Sequence, residues 1–480
     1  MTPVSTFAGK KTAVFGLGGS GIATAQALIA GGAEVAAWDD EPAAIEKARA
    51  AEIPVQDLAK ADWRLFAALI LAPGAPLTHP SPHWTAAKAR AAGVEIIGDI
   101  ELFCRERRRT APNAPFIAIT GTNGKSTTAA LTAHLLRQAG RAVELGGNIG
   151  VPILELAPPA AKRIHVVEVS SFQIDLAPTL DPTIGVLINI TPDHLDRHGA
   201  MENYIAIKER LVAAAALALV GVDDAPGRAI AERLRARGSR VATISTDPDS
   251  DANIIGRNGA IVARGDRGAQ TLGDLAAAPT LRGLHNAQNA AFASAVAFYL
   301  GLTPQEIARG LASFPGLAHR MEQIGKRRRV LYVNDSKATN ADAAEKALLS
   351  FRDIFWILGG KPKEGGIEPL RPLFSRIAKA YLIGAATETF ASTLGANVPF
   401  ERCGTLEAAT AAAARDAAAS SAPEPVVLLS PACASYDQFP NFEARGDRFR
   451  ELVKALIAAD EGAEAGPEPP NASIHARSLS

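Results

Sequence analysis

The residues best suited to chemistry are a glycine-rich run that ends in a lysine and a hydroxyl, Gly121-Thr-Asn-Gly-Lys-Ser126. An apolar run at 116–119 predicts a buried strand before it, and the residues after it are typical of a helix. A loop at such a junction can direct backbone N–H groups at phosphate oxygens. Lys125 could reach the outer phosphates, and Ser126 could ligate Mg²⁺. The usual phosphate loop has glycine where this chain has Ile119, so an incidental strand-to-helix turn stays open.

Carboxylates and imidazoles follow the next two predicted strands. Glu168 lies near the end of an apolar strand at 164–169, where a buried carboxylate favours a counter-charge such as Mg²⁺. The strand at 184–190 leads into Thr191-Pro-Asp-His-Leu-Asp-Arg-His198, whose histidines and aspartates are typical of a metal or phosphate site. The plain alternatives are a water-facing carboxylate for Glu168 and an ordinary loop histidine for His194.

Several further polar residues are candidates by position. Lys208 lies on a predicted helix, and Asn286 and Asn289 lie one turn apart, where amides suit either adenine edges or a helix N-cap. In the C-terminal third, Asp335-Ser-Lys-Ala-Thr339 directly follows a predicted strand. Gly359-Gly-Lys-Pro-Lys363 follows another strand, and its glycines and lysines suit an anionic ligand or a flexible surface loop.

A second glycine motif lies near the N-terminus. Gly16, Gly18 and Gly21 form G-x-G-x-x-G between a predicted strand and helix, and Asp39 follows about 20 residues later. Alone, this pattern indicates a dinucleotide-binding unit and therefore NAD. The same turn can hold any phosphate or pyrophosphate, and Ser20 adds a hydroxyl donor. A Rossmann-like unit without a ligand also stays open.

Composition narrows the class of protein. The 480 residues are 48% hydrophobic and 21% charged, as expected for a globular chain of two to four domains. Lys+Arg and Asp+Glu both number 50, so no basic excess indicates nucleic acid. The sequence has no uninterrupted run of about 18 apolar residues, so no membrane span is predicted. The 3 cysteines lack metal-ligand spacing and fit a reducing cytoplasm.

Together these motifs resemble the Mur ligase family of peptidoglycan synthesis over roughly residues 10–455. The central motifs that carry the resemblance are Gly121-Thr-Asn-Gly-Lys-Ser126, Glu168-Val-Ser-Ser-Phe-Gln173, Thr191-Pro-Asp-His-Leu-Asp196, Lys208 and His285-Asn-Ala-Gln-Asn289. The family's own phosphate loop lacks the leading glycine, so Ile119 is expected. Asn334-Asp-Ser-Lys-Ala-Thr-Asn340 and Ser430-Pro-Ala-Cys-Ala-Ser-Tyr-Asp-Gln-Phe439 most resemble the members that add D-glutamate.

The resemblance implies an α/β fold of three domains and a disordered tail. These are an N-terminal Rossmann-like domain that binds a UDP-linked substrate (1–108), a central P-loop ATPase-like domain with a doubly wound sheet (109–316), a C-terminal Rossmann-like domain that binds the amino acid (317–460), and the tail (461–480). The charged run at 105–109 is predicted to be a solvated helix end and linker. Residues 313–319 are predicted to be a hinge.

The implied activity is that of an ATP-dependent, ADP-forming acid–amino-acid ligase. It would join D-glutamate to UDP-N-acetylmuramoyl-L-alanine through an acyl phosphate, in cytoplasmic precursor synthesis for the cell wall, cell shape and cell division. A monomer is expected, with no nucleic acid and no membrane insertion. The alternatives are a folylpolyglutamate synthase-like ligase, which would not need the UDP-type domain, and a nucleotide-responsive binding protein, which would need fewer metal ligands.

The resemblance also implies roles for individual residues. ATP would be bound by Gly121, Thr122, Asn123, Gly124, Lys125, Ser126, Thr127, Asn286, Asn289, Arg320 and Asp335. The UDP-linked substrate would be bound by Ser20, Asp39, Gly74, Asn148 and His194. D-Glutamate would be bound by Lys337, Thr339, Lys363, Ser435 and Phe442. Two Mg²⁺ ions would be held by Ser126, Glu168, His194 and Lys208, the last as a carbamate. The catalytic residues would be Lys125, His194 and Lys208. The sequence departs from the family at Asp40 and Glu41, where basic or hydroxyl residues are expected.

Overall fold

The computed structural model describes residues 1–257, 259–265, 268–362 and 365–464. The chain forms two compact units, one that ends at Phe314 and one that begins at Pro315. This boundary lies within the segment at 313–319 that was predicted to be a hinge, and movement about it stays a prediction. In the part of the chain that is described, no helix is both long and apolar enough to cross a membrane.

The first unit begins with a four-stranded parallel sheet in the order β2-β1-β3-β4. Its strands are β1 (Lys11–Phe15), β2 (Glu34–Trp38), β3 (Ala68–Leu71) and β4 (Glu95–Ile97). Its helices are α1 (Gly19–Ala30), α2 (Pro42–Ala50), α3 (Trp84–Ala91) and α4 (Asp99–Thr110). This is the Rossmann-like arrangement predicted from the N-terminal glycine motif, with α1 directly after the glycines.

The same unit contains a nine-stranded sheet in the order β13-β12-β11-β10-β9-β8-β5-β7-β6. Its strands are β5 (Phe116–Thr120), β6 (Ala142–Gly147), β7 (Arg163–Glu168), β8 (Ile184–Leu187), β9 (Leu217–Gly221), β10 (Val241–Ser245), β11 (Ile254–Arg257), β12 (Ala260–Gly265) and β13 (Gly268–Asp274). Strands β5 to β11 are parallel, and β12 and β13 are antiparallel additions. Its helices are α5 (Lys125–Gln138), α6 (Ser171–Asp175), α7 (Leu195–His198), α8 (Met201–Ala213), α9 (Ala225–Ala236), α10 (Leu284–Tyr299) and α11 (Pro304–Ala312).

The strand sequences explain this layering. All residues of β5 and β8 are buried, as expected for parallel strands that are covered on both faces by helices. One core contains residues of both sheets, such as Val14 and Phe116, while α5 and α10 pack on the other face of the larger sheet. β5 lies between β7 and β8, so the loop after β5 leaves the sheet where the strand order reverses.

The prediction for the charged run at 105–109 was partly wrong. The run does end a helix, α4, but Glu106 and Arg107 are buried rather than solvated. Arg107 donates to the Asp181 carboxylate at 2.7 Å, and Glu106 accepts hydrogen bonds from Ser5. The run therefore ties α4 to Asp181, shortly before β8, and to Ser5 near the N-terminus, because its charges find partners far away in the sequence.

The second unit contains a six-stranded sheet in the order β14-β15-β19-β16-β17-β18, in which only β14 is antiparallel to its neighbour. Its strands are β14 (Glu322–Arg327), β15 (Val330–Asn334), β16 (Ile354–Gly359), β17 (Ile377–Ile383), β18 (Phe400–Gly404) and β19 (Val426–Leu429). Its helices are α12 (Ala341–Ser350), α13 (Thr387–Leu394), α14 (Leu406–Ala419) and α15 (Phe442–Glu464). Helix α15 therefore enters the range predicted as a tail, and residues 465–480 lie outside the described residues. The predicted α/β class is confirmed.

Candidate active site around the phosphate loop

The glycine-rich run forms a tight loop between β5 and α5. Gly124 has a φ of 84°, in the left-handed region that L-residues avoid. A Cβ atom on Gly124 would lie 2.2 Å from the Asn289 side-chain oxygen, so the loop passes directly over helix α10. Thr128 Oγ1 donates to the same oxygen at 3.3 Å. Glycine is needed here both for the backbone conformation and for the close approach.

One asparagine holds the first turn of this loop. The Asn189 carbonyl accepts from Thr122 N at 2.9 Å, and its side-chain oxygen accepts from Asn123 N, also at 2.9 Å. Thr122 Oγ1 in turn donates to Thr191 O at 3.1 Å. The loop is therefore tied to the segment that follows β8, and Asn189 was not among the predicted site residues.

Two lysines converge on the loop. Lys125 Nζ donates to Gly121 O at 3.1 Å and to Thr122 O at 2.9 Å. Lys208 Nζ donates to Gly121 O at 2.8 Å and to Thr120 Oγ1 at 3.2 Å. Lys208 is only 1% exposed, and burial together with the charge of Lys125 lowers its pKa to about 7. Two amines beside one carbonyl create a site that favours an anion.

Glu168 supplies the carboxylate of this site. It is 2% exposed, and the parallel pairing of β5 with β7 places it beside Ile119. Asn148 Nδ2 donates to its Oε1 at 2.8 Å, while its Oε2 is buried without a hydrogen-bond partner among the described residues. A buried carboxylate oxygen without a donor is costly, and a bound cation would satisfy it. Asn148, predicted to bind the UDP-linked substrate, here orients Glu168.

The metal-ligand set is sparse. Within the described ranges, no three His, Cys, Asp or Glu side chains converge closely enough to hold a metal ion by themselves. Mg²⁺ is commonly bound by one or two protein oxygens together with waters and substrate phosphates. Ser126, on the first turn of α5, and Glu168 fit that pattern at the edge of the phosphate loop.

The two histidines of the segment at 191–198 have different environments. His194 precedes α7 with a φ of 52°, its side chain is 50% exposed, and its Nε2 lies 3.4 Å from Asp193 Oδ2. His198 is buried, bonds Ser171 Oγ at 2.9 Å and stacks on Phe172. Burial lowers the pKa of His198 to about 4, so it is neutral at pH 7. Of the two, only His194 is open to a ligand.

Arg197 links this segment to the first sheet. Its guanidinium lies 4.5 Å from the centre of the Phe172 ring and donates to Gly74 O at 3.0 Å and Pro73 O at 3.3 Å. Gly74 is one of the residues predicted to hold the UDP-linked substrate. Arg197 was not among the predicted site residues, and its only signal in the sequence was its place in the segment at 191–198, next to His198.

The N-terminal glycine loop is also closely packed. A Cβ atom on Gly21 would lie 1.7 Å from Gly16 O. Asp39 Oδ2 accepts from Leu17 N at 2.5 Å, so Asp39, which was predicted to bind the UDP-linked substrate, braces this loop. Ser20 lies in the first turn of α1 and is partly exposed. Asp40, which departs from the family pattern, accepts from Trp84 Nε1 at 3.2 Å.

The two asparagines predicted to bind ATP are both buried on α10. Asn289 Nδ2 donates to Asn286 Oδ1 at 3.2 Å, and Asn286 Nδ2 donates to Arg282 O at 2.9 Å. Neither caps the helix, which begins after Gly283. Both amides therefore support the helix under the phosphate loop.

In the second unit, the predicted residues cluster around the ends of β15 and β19. Asp335 is buried and accepts from Ser430 Oγ at 2.8 Å and Met321 N at 3.2 Å, and burial raises its pKa to about 7. Lys337 is exposed, and its Nζ lies 5.3 Å from the centre of the Phe442 ring. The predicted ligand Lys363 lies outside the described residues.

The other predicted residues of this unit differ in exposure. Ser435 is buried, Thr339 is partly exposed, and Arg320 has a buried Nε without a hydrogen-bond partner among the described residues.

Arg445 is a further residue that sequence analysis missed. It is 1% exposed and donates to Ser336 O at 2.8 Å, Ser336 Oγ at 3.0 Å and Cys433 O at 3.1 Å. Burial lowers its pKa to about 10. It joins the two segments whose sequences most resemble the D-glutamate-adding members, and no local pattern marks an arginine as buried.

The fold and this site define a class of nucleotide-dependent ligase. Residues 119–297 match the model of the Mur ligase middle domain, and residues 319–433 match that of the Mur ligase glutamate ligase domain. The chain belongs to the Mur ligase family.

Its relatives narrow the likeness further. The chain is 60% identical over 460 residues to the UDP-N-acetylmuramoylalanine–D-glutamate ligase of Nitrobacter hamburgensis, covering 95% of this chain and 98% of the relative. It is 58% identical over 457 residues to the ligase of the same name from Brucella abortus, with the same coverage of both chains. In fold it is similar to the crystal structure of UDP-N-acetylmuramate-alanine ligase from Thermotoga maritima, with a TM-score of 0.56, 17% identity and coverage of 93% and 99% of the two chains.

Proposed function

We propose that this protein is an ATP-dependent ligase that adds D-glutamate to UDP-N-acetylmuramoyl-L-alanine, forming ADP and phosphate. The observation that carries the proposal is the phosphate loop with two lysines on one carbonyl and a buried, half-satisfied carboxylate beside it. This combination suits a nucleotide with its metal ion. The names of the relatives with 58% and 60% identity supply the acid and the amine.

The chemistry follows from the poor reactivity of a carboxylate. An oxygen of the alanyl carboxylate attacks the γ-phosphorus of ATP, the bond to the β–γ bridging oxygen breaks, and ADP leaves. The amine of D-glutamate then attacks the acyl carbon, loses a proton and expels inorganic phosphate from a tetrahedral intermediate. Lys125 lies at the phosphate loop, where its charge would stabilise the γ-phosphoryl group as charge develops on it.

Lys208 would serve as a carbamate. A buried ammonium beside Lys125 would repel a metal ion, whereas the neutral amine can react with CO₂, releasing a proton and leaving a carboxylate-like anion. Burial and the charge of Lys125 lower the pKa of Lys208 to about 7, so far more of its amine is neutral at pH 7 than for an exposed lysine, whose pKa is about 10.4. The low pKa therefore supports the modification.

The residues around the loop fit Mg²⁺. Ser126, Glu168, His194 and the Lys208 carbamate would hold up to two ions, and the buried Glu168 Oε2 is the oxygen that most needs one. When bound, Mg²⁺ would neutralise charge on the phosphates. The chain itself orients Glu168 through Asn148 and fixes the loop through Asn189.

The remaining site residues divide between the substrates. We expect the UDP-linked substrate at Ser20, Asp39, Gly74, Asn148 and His194. We expect ATP at the loop, Asn286, Asn289, Arg320 and Asp335. We expect D-glutamate at Lys337, Thr339, Lys363, Ser435 and Phe442. A monomer that works in the cytoplasm completes the proposal.

The test is phosphate release from ATP in the presence of UDP-N-acetylmuramoyl-L-alanine. D-Glutamate should stimulate release strongly, and L-glutamate and other amino acids should not. Product formation should be checked by mass, as the sum of the two substrates less one water. Absence of stimulation by D-glutamate would refute the proposal.

A further inference from the structure

Three hydrogen bonds connect an aspartate after β9 to the phosphate loop. Gln288 Nε2 donates to Asp223 Oδ2 at 3.0 Å. Asn189 Nδ2 donates to Gln288 Oε1 at 3.0 Å. Asn123 N donates to Asn189 Oδ1 at 2.9 Å. A side chain on α10 therefore reaches the backbone of the loop through one intermediate amide.

The carboxylate of Asp223 fixes the donor-to-acceptor order of these three hydrogen bonds. An ionised carboxylate only accepts hydrogen bonds, so the Gln288 amide must turn its NH₂ group toward Asp223. Its oxygen then faces Asn189, which must turn its own NH₂ group toward Gln288. Only in that orientation does the Asn189 oxygen face Asn123 N. A reversed Asn189 amide would place a donor against a donor.

Asp223, the first acceptor in this hydrogen-bond series, is held in place by other donors. The Asp223 carboxylate also accepts from Ser245 Oγ at 2.5 Å, Thr246 N at 3.1 Å and Thr246 Oγ1 at 2.9 Å. These donors lie at the end of β10, which pairs with β9. Asp223 is exposed, but its carboxylate accepts from four donor groups, including Gln288 Nε2. Its position is therefore stable, and it keeps the Gln288 amide in one orientation.

We infer that Gln288 is a positioning residue for the phosphate loop. It sets the orientation of the Asn189 amide and thereby the position of the loop backbone at Thr122 and Asn123. The inference rests on the proposed function, because it assigns this loop to ATP. It predicts an effect on nucleotide affinity, with little effect on the affinity for the other two substrates.

The test uses two single variants and their combination. Gln288→Glu cannot donate to Asp223 and places two carboxylates together, so the Kd of a non-hydrolysable ATP analogue with Mg²⁺ should rise about fivefold to tenfold. Asp223→Asn can both donate and accept, so it no longer fixes the orientation of the Gln288 amide, and the Kd of the analogue should rise about threefold. In the double variant, the amide introduced by Asp223→Asn can donate to the new glutamate, which still accepts from Asn189. The Kd of the double variant should return to within about twofold of the wild-type value.

Gln138→Glu is the matched control, because it makes the same chemical change at the exposed last residue of α5. Its Kd should stay at the wild-type value, and all variants should keep their KM for D-glutamate. The inference is overturned if Gln288→Glu binds the analogue like the wild-type protein, or if the losses of the two single variants add in the double variant. Phosphate release by the wild-type protein separately tests the proposed function.

Discussion

Lys125 and Lys208 donate to the same backbone oxygen, that of Gly121, at 3.1 Å and 2.8 Å. Both are cations by type, yet burial and the neighbouring charge lower the pKa of Lys208 to about 7. Lys125 is partly exposed, whereas Lys208 is 1% exposed. This difference agrees with the proposed roles, in which Lys125 binds phosphate and Lys208 is modified.

Lys125→Ala should abolish phosphate release. Loss of a positioned charge from a phosphoryl-transfer site costs about 10²–10³-fold or more in kcat. The measurement is D-glutamate-dependent phosphate release at saturating ATP. Lys47→Ala, on the exposed side of α2, is the control and should be fully active. Near-normal turnover of Lys125→Ala would contradict the assignment of the phosphate loop.

The activity should depend on CO₂, and more strongly at low pH. As pH falls through about 7, Lys208 gains a proton, so less neutral amine is present to form the carbamate. In CO₂-free buffer, activity should fall more at pH 6 than at pH 8, and bicarbonate should restore it. A carbamate carbon signal after labelling with ¹³C-bicarbonate should disappear in Lys208→Ala. Full activity of Lys208→Ala would rule out the carbamate.

Glu168→Gln should raise the Mg²⁺ concentration needed for half-maximal activity about tenfold or more, because the buried oxygen loses its charge. The glutamine oxygen can keep the bond from Asn148. The thermal unfolding temperature of Glu168→Gln in EDTA should not fall below that of the wild-type protein, since an unpaired buried carboxylate is itself destabilising. Glu144→Gln on β6 is the control. Unchanged Mg²⁺ dependence of Glu168→Gln would place the metal elsewhere.

Gly124→Ala and Gly140→Ala form a matched pair. Both glycines have left-handed φ angles, 84° and 74°, but only at Gly124 would a Cβ meet another atom, at 2.2 Å. Gly140→Ala should cost about 1–2 kcal/mol of stability and leave ATP binding unchanged. Gly124→Ala should cost more and weaken binding of the ATP analogue at least about tenfold. If calorimetric titration gives the two variants the same affinity for the ATP analogue, the close packing of the loop on Asn289 is contradicted.

Arg197→Ala should raise the KM for the UDP-linked substrate about fivefold to tenfold, because the loop at Pro73 and Gly74 loses two charge-assisted hydrogen bonds. The KM for ATP should change less than twofold. Arg197→Lys keeps the charge over Phe172 and should recover part of the loss. If all three substrates lose affinity equally, Arg197 supports the fold rather than the substrate loop.

The phosphate loop was predictable because its parts are adjacent in sequence. A buried strand, glycines and a helix start specify the turn locally, and the structure has β5, the loop and α5 in the predicted order. Glu168 was also predictable, since parallel strands bring their carboxyl ends to one edge. The partners of these residues were not predictable: Asn148 beside Glu168 and Asn189 beside the loop depend on pairings across the sheet.

Burial was the property that sequence pattern described least well. The charged run at 105–109 is typical of a solvated helix end, yet Arg107 is buried against Asp181, 74 residues later. Arg445 has no local sign of burial either. Charges of this kind are stable inside only because distant acceptors meet them, and a pattern confined to one segment contains no information on those acceptors.

The sequence by itself determined the fold class, the family and the loop that would bind phosphate, because these depend on short, local combinations of residue types. Only the tertiary structure decided which groups at the loop are protonated, which are exposed to a ligand, and which are held by hydrogen bonds. Lys208 reaches Gly121 across 87 residues, and Gln288 reaches Asn189 across 99. Protonation and hydrogen-bond direction depend on neighbours brought together by folding, so they follow from the assembled site rather than from any one segment.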